Sequence, residues 1–217
     1  MARLRLVVLV SGRGSNLESL LAASRAGALD ADVVLVVSNK PDAPALDVAA
    51  RAGVPTRVVP SAGLAREEHD RRVAEAIDEA RADLVLLAGY MRILGGAFIA
   101  RYRGRLLNIH PSLLPAFPGV DAQGQAHARG VRVAGCTVHF VTEDVDAGPI
   151  LAQAALAVDP AWSADELRAR ILELEHRLYP ACVRLLAAKR ARLEGDRVVF
   201  EAAPPPAGAL FSVEGDE

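Results

Sequence analysis

Short apolar runs alternate with segments of helical period along most of this chain, and few folds accommodate that alternation. Leu4–Val10 reads as a first strand, followed by runs at 33–37, 57–59, 84–88, 106–109, 136–141 and 151–158. Between them fall helical segments: one from the turn Gly12-Arg13-Gly14-Ser15-Asn16 to about Arg25, one over 45–52 that stops at Gly53, a charged amphipathic one over 66–81, and a short one over 122–129. Helical crossovers between consecutive strands carry the chain back to the same end of a sheet, so the strands pair in parallel. The expectation is therefore an α/β fold: an open, mostly parallel twisted sheet with helices on both faces, Rossmann-like and single-domain. Ser163 and Glu166 stand at capping-box spacing, and Leu167, Ile171, Leu174, Leu178, Cys182 and Leu185 then recur at helical spacing, which predicts a long packed helix. Gly195-Asp196 reads as a turn between short strands at 191–193 and 198–200. The domain is expected over 1–200. The Pro-, Gly- and acid-rich stretch from Pro204 gives a loosely held tail over 201–217.

Composition narrows the classes. With 217 residues, 52% of them hydrophobic, the chain has enough apolar side chain for a sizeable core. A net charge of -2 argues against a dedicated nucleic-acid binder, which carries a basic surface. The two cysteines, Cys136 and Cys182, fit neither a zinc motif nor a secreted disulfide framework and are expected to be reduced and buried. The apolar run ending at Val10 leads into a glycine turn, with no small-residue cleavage site, and no run reaches the ~18 residues that a membrane span needs. A cytoplasmic protein with no membrane partner is expected.

Two motifs carry chemistry. Ser11-Gly12-Arg13-Gly14-Ser15-Asn16 leaves a strand and opens a helix, where backbone N–H groups and the helix dipole favour an anion. The dinucleotide fingerprint is incomplete, because Leu17 stands where a third glycine belongs and the second strand ends in Ser38-Asn39 rather than an acid. A lone phosphate on a small substrate fits better than NAD. The second motif is Asn108-Ile109-His110-Pro111-Ser112-Leu113-Leu114-Pro115. Alternation along a strand puts Asn108 and His110 on one side, and Pro111 ends the strand. Asp146, within Val145-Asp146-Ala147-Gly148-Pro149, supplies a third polar group. Asn, His and Asp without a Ser or Cys nucleophile suggest that the substrate brings its own: amide and imidazolium stabilise an oxyanion, and the carboxylate orients the imidazole. The other histidines read blandly. His69 is taken as solvated among Glu67, Glu68 and Asp70, His127 as a helix-end cation, His139 as structural beside Thr137, and His176 as a support for Glu175. No pair of histidines has ligand spacing on one helix face, so no metal is expected.

These motifs occur in the order found in a known family. Ser11 to Asn16, Ala88-Gly89-Tyr90-Met91-Arg92-Ile93-Leu94, Leu107 to Pro115, Thr137-Val138-His139-Phe140-Val141 and Asp146-Ala147-Gly148-Pro149-Ile150 resemble the phosphoribosylglycinamide formyltransferases, folate-dependent enzymes of purine synthesis, over roughly residues 4–185. The resemblance implies transfer of the formyl group of 10-formyltetrahydrofolate, a co-substrate, to the amine of phosphoribosylglycinamide (GAR), with no metal and no ATP. It implies that Asn108, His110 and Asp146 form the catalytic trio. Gly14, Ser15, Asn16 and Glu175 would contact GAR. Arg66, Met91, Arg92, Ile93, Leu94 and the loop Thr142-Glu143-Asp144-Val145-Asp146, with Asn108, would line the folate pocket. Such enzymes often carry a His where Asp121 stands, and Asp121 is left outside the trio. The expected partners are these small molecules, in a monomer or homodimer, with no nucleic acid. Three alternatives remain: a formyltetrahydrofolate hydrolase, a tRNA formyltransferase, which would have a further C-terminal domain and a basic surface, and a non-catalytic nucleotide-binding module.

Overall fold

A computed structural model describes residues 3–201, so the tail expected from Pro204 onward lies outside the described residues. Seven strands form one sheet: β1 Leu4–Val10, β2 Ala31–Ser38, β3 Thr56–Val58, β4 Leu84–Leu87, β5 Leu106–His110, β6 Val133–Phe140 and β7 Ile150–Ala157. Their order is β3-β2-β1-β4-β5-β6-β7. The pairs among β1 to β5 are parallel, whereas β5–β6 and β6–β7 are antiparallel. The helices are α1 Ser15–Arg25, α2 Ala45–Arg51, α3 Arg66–Glu79, α4 Gly96–Arg101, α5 Ala122–Ala128 and α6 Ala164–Ala187. A separate hairpin, β8 Ala191–Glu194 and β9 Arg197–Phe200, follows α6.

The sheet is covered on both faces, which is why its central strands are apolar without interruption. Leu6, Val8 and Val10 of β1 join a core with Leu17 and Leu20 of α1 and Leu167, Ile171 and Tyr179 of α6. Val7 and Leu9 face the opposite core, with Val73 and Ile77 of α3 and Phe98 and Tyr102 of α4. The expected capping box closes the start of α6: Ser163 accepts from the Glu166 amide and Glu166 accepts from the Ser163 amide.

Two features of this sheet position the site. The chain runs outward from β1 to β3 and returns to lay β4 on the other side of β1. The turn after β1 and the loop after β4 therefore meet at the reversal of strand order, where open α/β sheets bind ligands. The antiparallel β5–β6 pair sets Asn108 opposite His139 and His110 opposite Thr137. Leu106 of β5 belongs to the α3–α4 core while Leu107 and Ile109 belong to the other, so Asn108 and His110 continue the α3–α4 face beyond its apolar part.

Candidate active site

The turn after β1 is built around Gly14. Its φ is 86°, and a Cβ there would sit 2.7 Å from the Ala45 Cβ, so glycine alone fits. No side chain caps α1, which leaves its first-turn amides open to a ligand. Ser11 ties three segments together: its hydroxyl donates to Asn39 Oδ1 at 2.6 Å and accepts from the Met91 amide at 2.8 Å. Asn39, standing where a dinucleotide fold has its ribose-binding acid, is thus occupied in holding the turn.

Behind this turn Asn16 donates to Glu175 Oε2 at 2.6 Å, and both side chains are buried. Burial pushes the Glu175 carboxyl up to about 7, with the Asn16 hydrogen bond pulling the other way. Asn16 Oδ1 is buried without a partner among the described residues. His176 does not support Glu175 as expected. Its Nε2 has no hydrogen-bond partner in the described residues, because the one-residue step along α6 turns it away from the cleft wall that Glu175 forms.

At the end of β5, His110 is 5% exposed. Its Nε2 lies 2.8 Å from the Phe117 carbonyl and its Nδ1 3.3 Å from Asp146 Oδ2. Both partners accept hydrogen bonds, so both ring nitrogens are placed to donate, as in the imidazolium. Asp146 has φ 54°, in the left-handed region that Asp tolerates, and Gly148 beyond it admits no side chain because a Cβ would collide with the Phe140 carbonyl. The Gly119 amide donates to Asp146 Oδ2 at 2.8 Å. Burial pushes the Asp146 carboxyl up, but the Gly119 amide and His110 hold it below the usual value. Asn108 Nδ2 lies 3.4 Å from Asp146 Oδ1 and 3.3 Å from His139 Nε2.

Asn108, His110 and Asp146 thus come together, and with them most of the residues expected around the ligands. A single cleft of about 640 Å³ is lined by Gly14, Ser15, Asn16 and Glu175 at one end, by Asn108, His110 and Asp146, and by Met91, Arg92, Ile93, Leu94, Thr142, Glu143, Asp144 and Val145 at the other. Met91, Ile93, Val120 and Val145 are exposed apolar side chains around it, an unfavourable arrangement in water unless a ligand covers them. Arg66 does not line the cleft; it stands on the exposed side of α3, its stem near Gly95.

Three features were not legible in the sequence. His69 is buried rather than solvated, because α3 turns His69 and Asp70 onto the same face as Val73 and Ile77. His69 Nε2 lies 3.1 Å from the Val59 carbonyl, and Asp70 accepts from the Gly95 amide at 2.7 Å, anchoring the loop after β4. Arg13 also lines the cleft, and among the described residues that do so only Arg13 and Arg92 carry a fixed positive charge. Arg92 donates to the Ser61 and Leu64 carbonyls. Finally, Asp121 pairs with Arg168 of α6 at 2.9 Å and also lines the cleft. Among the described residues no cluster of three or more His, Cys, Asp or Glu side chains is arranged to hold a metal ion, and no helix is long and apolar enough to cross a membrane.

Residues 4–183 match the family model described as formyl transferase. The chain is 42% identical over 191 residues to the phosphoribosylglycinamide formyltransferase of Escherichia coli K12, covering 88% of this chain and 90% of that protein. It is 45% identical over 187 residues to the trifunctional purine biosynthetic protein adenosine-3 of Gallus gallus, covering 86% of this chain but 19% of that protein; it spans about a fifth of that relative's length. Among solved structures, glycinamide ribonucleotide transformylase 1 from Symbiobacterium toebii superposes with a TM-score of 0.89 at 47% identity, covering 92% of this chain and 94% of that one.

Proposed function

We propose that this chain, which belongs to the formyl transferase family, transfers the formyl group of 10-formyltetrahydrofolate to the amine of GAR, yielding formyl-GAR and tetrahydrofolate in purine biosynthesis. One observation carries the reading: a turn suited to a phosphate and an Asn–His–Asp cluster with a buried His line the same cleft, on which Met91, Ile93 and Val145 are exposed. A phosphorylated amine and a flat, largely apolar formyl donor need such an arrangement. The relatives' names point to the same acceptor and the same transferred group.

The GAR phosphate sits on the open amides at the start of α1, with Arg13 supplying charge that the backbone lacks. Glu175 and the unpartnered Asn16 oxygen accept from hydroxyls of the ribose. Folate occupies the end formed by Met91, Arg92, Ile93, Leu94 and the 142–146 loop. Its flat rings meet the apolar side chains and its polar edge meets backbone groups. Arg66, outside the cleft wall, reaches only a part of the donor that extends beyond the mouth.

The amine nitrogen of GAR attacks the formyl carbon, and the carbonyl oxygen takes the negative charge. That oxygen accepts from an Asn108 N–H and from His110 Nε2–H, replacing the Phe117 carbonyl as the imidazole's acceptor. Asp146 Oδ2, 3.3 Å from His110 Nδ1, holds the imidazole with Nε2 toward that oxygen. As the tetrahedral adduct collapses, the C–N10 bond breaks and a proton from the former amine passes, through Asp146 or a water beside it, to N10. No enzyme nucleophile, metal or ATP enters the sequence.

The test is a mass-spectrometric turnover assay with 10-formyltetrahydrofolate, with and without GAR and without ATP. Formyl-GAR formed only when both are present is expected. Formate released without GAR would favour a hydrolase, and GAR binding without product would favour a binding module.

A further inference from the structure

We propose that His139 is a positioning residue that fixes which end of the Asn108 amide faces the reacting centre. The inference rests on the formyl-transfer reading, in which Asn108 donates to the oxyanion. The antiparallel register of β5 and β6 puts the two side chains directly opposite one another, and His139 is 2% exposed on the cleft wall.

Its tautomer follows from its neighbours. Nδ1 lies 3.0 Å from the Phe140 carbonyl, which only accepts, so Nδ1 carries a hydrogen. Nε2 lies 3.3 Å from the Asn108 side chain and 3.6 Å from Asp146 Oδ1; the second distance is too long for a hydrogen bond. Nε2 is therefore bare and accepts. A bare imidazole nitrogen and a carboxylate oxygen side by side both demand a donor, and only the nitrogen end of the Asn108 amide supplies two. One N–H goes to His139. The other is held loosely by Asp146 at 3.4 Å and is the one a substrate oxygen takes over.

An Asn amide rotates readily about its terminal torsion, exchanging oxygen for nitrogen. Turned over, Asn108 would present a carbonyl oxygen to the developing oxyanion and raise the barrier. Without His139 the nitrogen end is retained only by the long contact to Asp146.

Steady-state kinetics of His139→Ala, alone and combined with Asn108→Ala, test this. Removing an oxyanion donor costs about 100-fold or more in kcat; losing its orientation is expected to cost about tenfold or more, with both KM values held within about threefold. On the Asn108→Ala background His139→Ala should add less than about twofold, since the amide it orients is gone. His139→Gln, whose carbonyl reaches the Nε2 position, should regain most of the rate, and His139→Asn, whose shorter amide reaches only the Nδ1 position, should not; this pair decides the matter if the alanine variant fails to fold. An unchanged kcat, an undiminished loss on the Asn108→Ala background, or equal rates for Gln and Asn would overturn the proposal. The wild-type rate separates the two claims: absent formyl-GAR production overturns the formyl-transfer reading, not the contact. The Asn108 side-chain ¹⁵N signal reads that contact without turnover. It should move when His139 is replaced, and an unmoved signal would overturn the contact too.

Discussion

Glu175→Gln should make this protein more stable and a poorer enzyme. Glu175 is 5% exposed, and one hydrogen bond from Asn16 does not compensate its charge. Its carboxyl is raised from 4.5 to about 7, chiefly by burial. Because the folded state holds the proton more tightly, the contribution to stability is full below about 4.5 and is lost as the pH rises through about 7. At ~1.4 kcal/mol per pKa unit, a shift of that size makes ionised Glu175 cost on the order of 3 kcal/mol at pH 8 relative to pH 4. Gln keeps the shape, accepts from Asn16 and offers its own N–H₂ to the unpartnered Asn16 oxygen, without the charge. Thermal unfolding of both proteins between pH 4.5 and 8.5 measures the effect. Their Tm values should nearly coincide at the acid end. At pH 8 the variant should unfold higher by roughly 6–12 °C, at about 2–4 °C per kcal/mol for a chain of this size. Its KM for GAR should rise about tenfold or more, the usual cost of a lost charge-assisted hydrogen bond. A pH-independent difference, or a variant less stable at pH 8, would refute the argument.

Other outcomes follow from the same geometry. Asn108→Ala and His110→Ala should each lower kcat by about 10²–10³ with the fold retained by circular dichroism; near-normal rates would remove them from the mechanism. Arg13→Ala should raise the KM for GAR about fivefold or more at low salt and much less at 0.5 M salt, with kcat within about twofold, because an exposed cation acts through screened attraction. Salt-independent binding in both proteins would show that Arg13 does not face the phosphate. Gly14→Ala should cost at least about 1–2 kcal/mol from the left-handed backbone alone, more from the clash with Ala45, and should impair GAR binding by displacing the turn. Unaltered denaturant midpoint and KM would contradict that account.

What was legible in the sequence differs by the range of the interaction that sets it. β4 and the second half of β1 were visible as apolar runs, because burial on both faces leaves no polar position to obscure them, and the start of α6 was visible in Ser163 and Glu166. Asn108 and His110 could be paired because strand alternation is local. The contact of Asn108 with His139 could not, since it depends on β6 running antiparallel to β5 in one register, and nothing within β6 itself declares that. His69 sits among acids in sequence, and only the docking of α3 against the segment after β3 buries it. The role the family resemblance gives Arg66 at the folate pocket rests on no local pattern; Arg66 stands exposed at the start of α3 with its stem beside Gly95. Asp121 is directed by Arg168, 47 residues away, a pairing invisible to any local pattern.

The central claim is direct transfer between two small molecules held in one cleft, with the GAR amine as the nucleophile. The measurement that tests it most directly follows a ¹³C-labelled formyl group from 10-formyltetrahydrofolate in the presence of excess unlabelled formate and GAR. The account predicts one labelled formyl in formyl-GAR for each tetrahydrofolate released, with no dilution by the formate pool. Label recovered as free formate, or unlabelled formyl in the product, would contradict it.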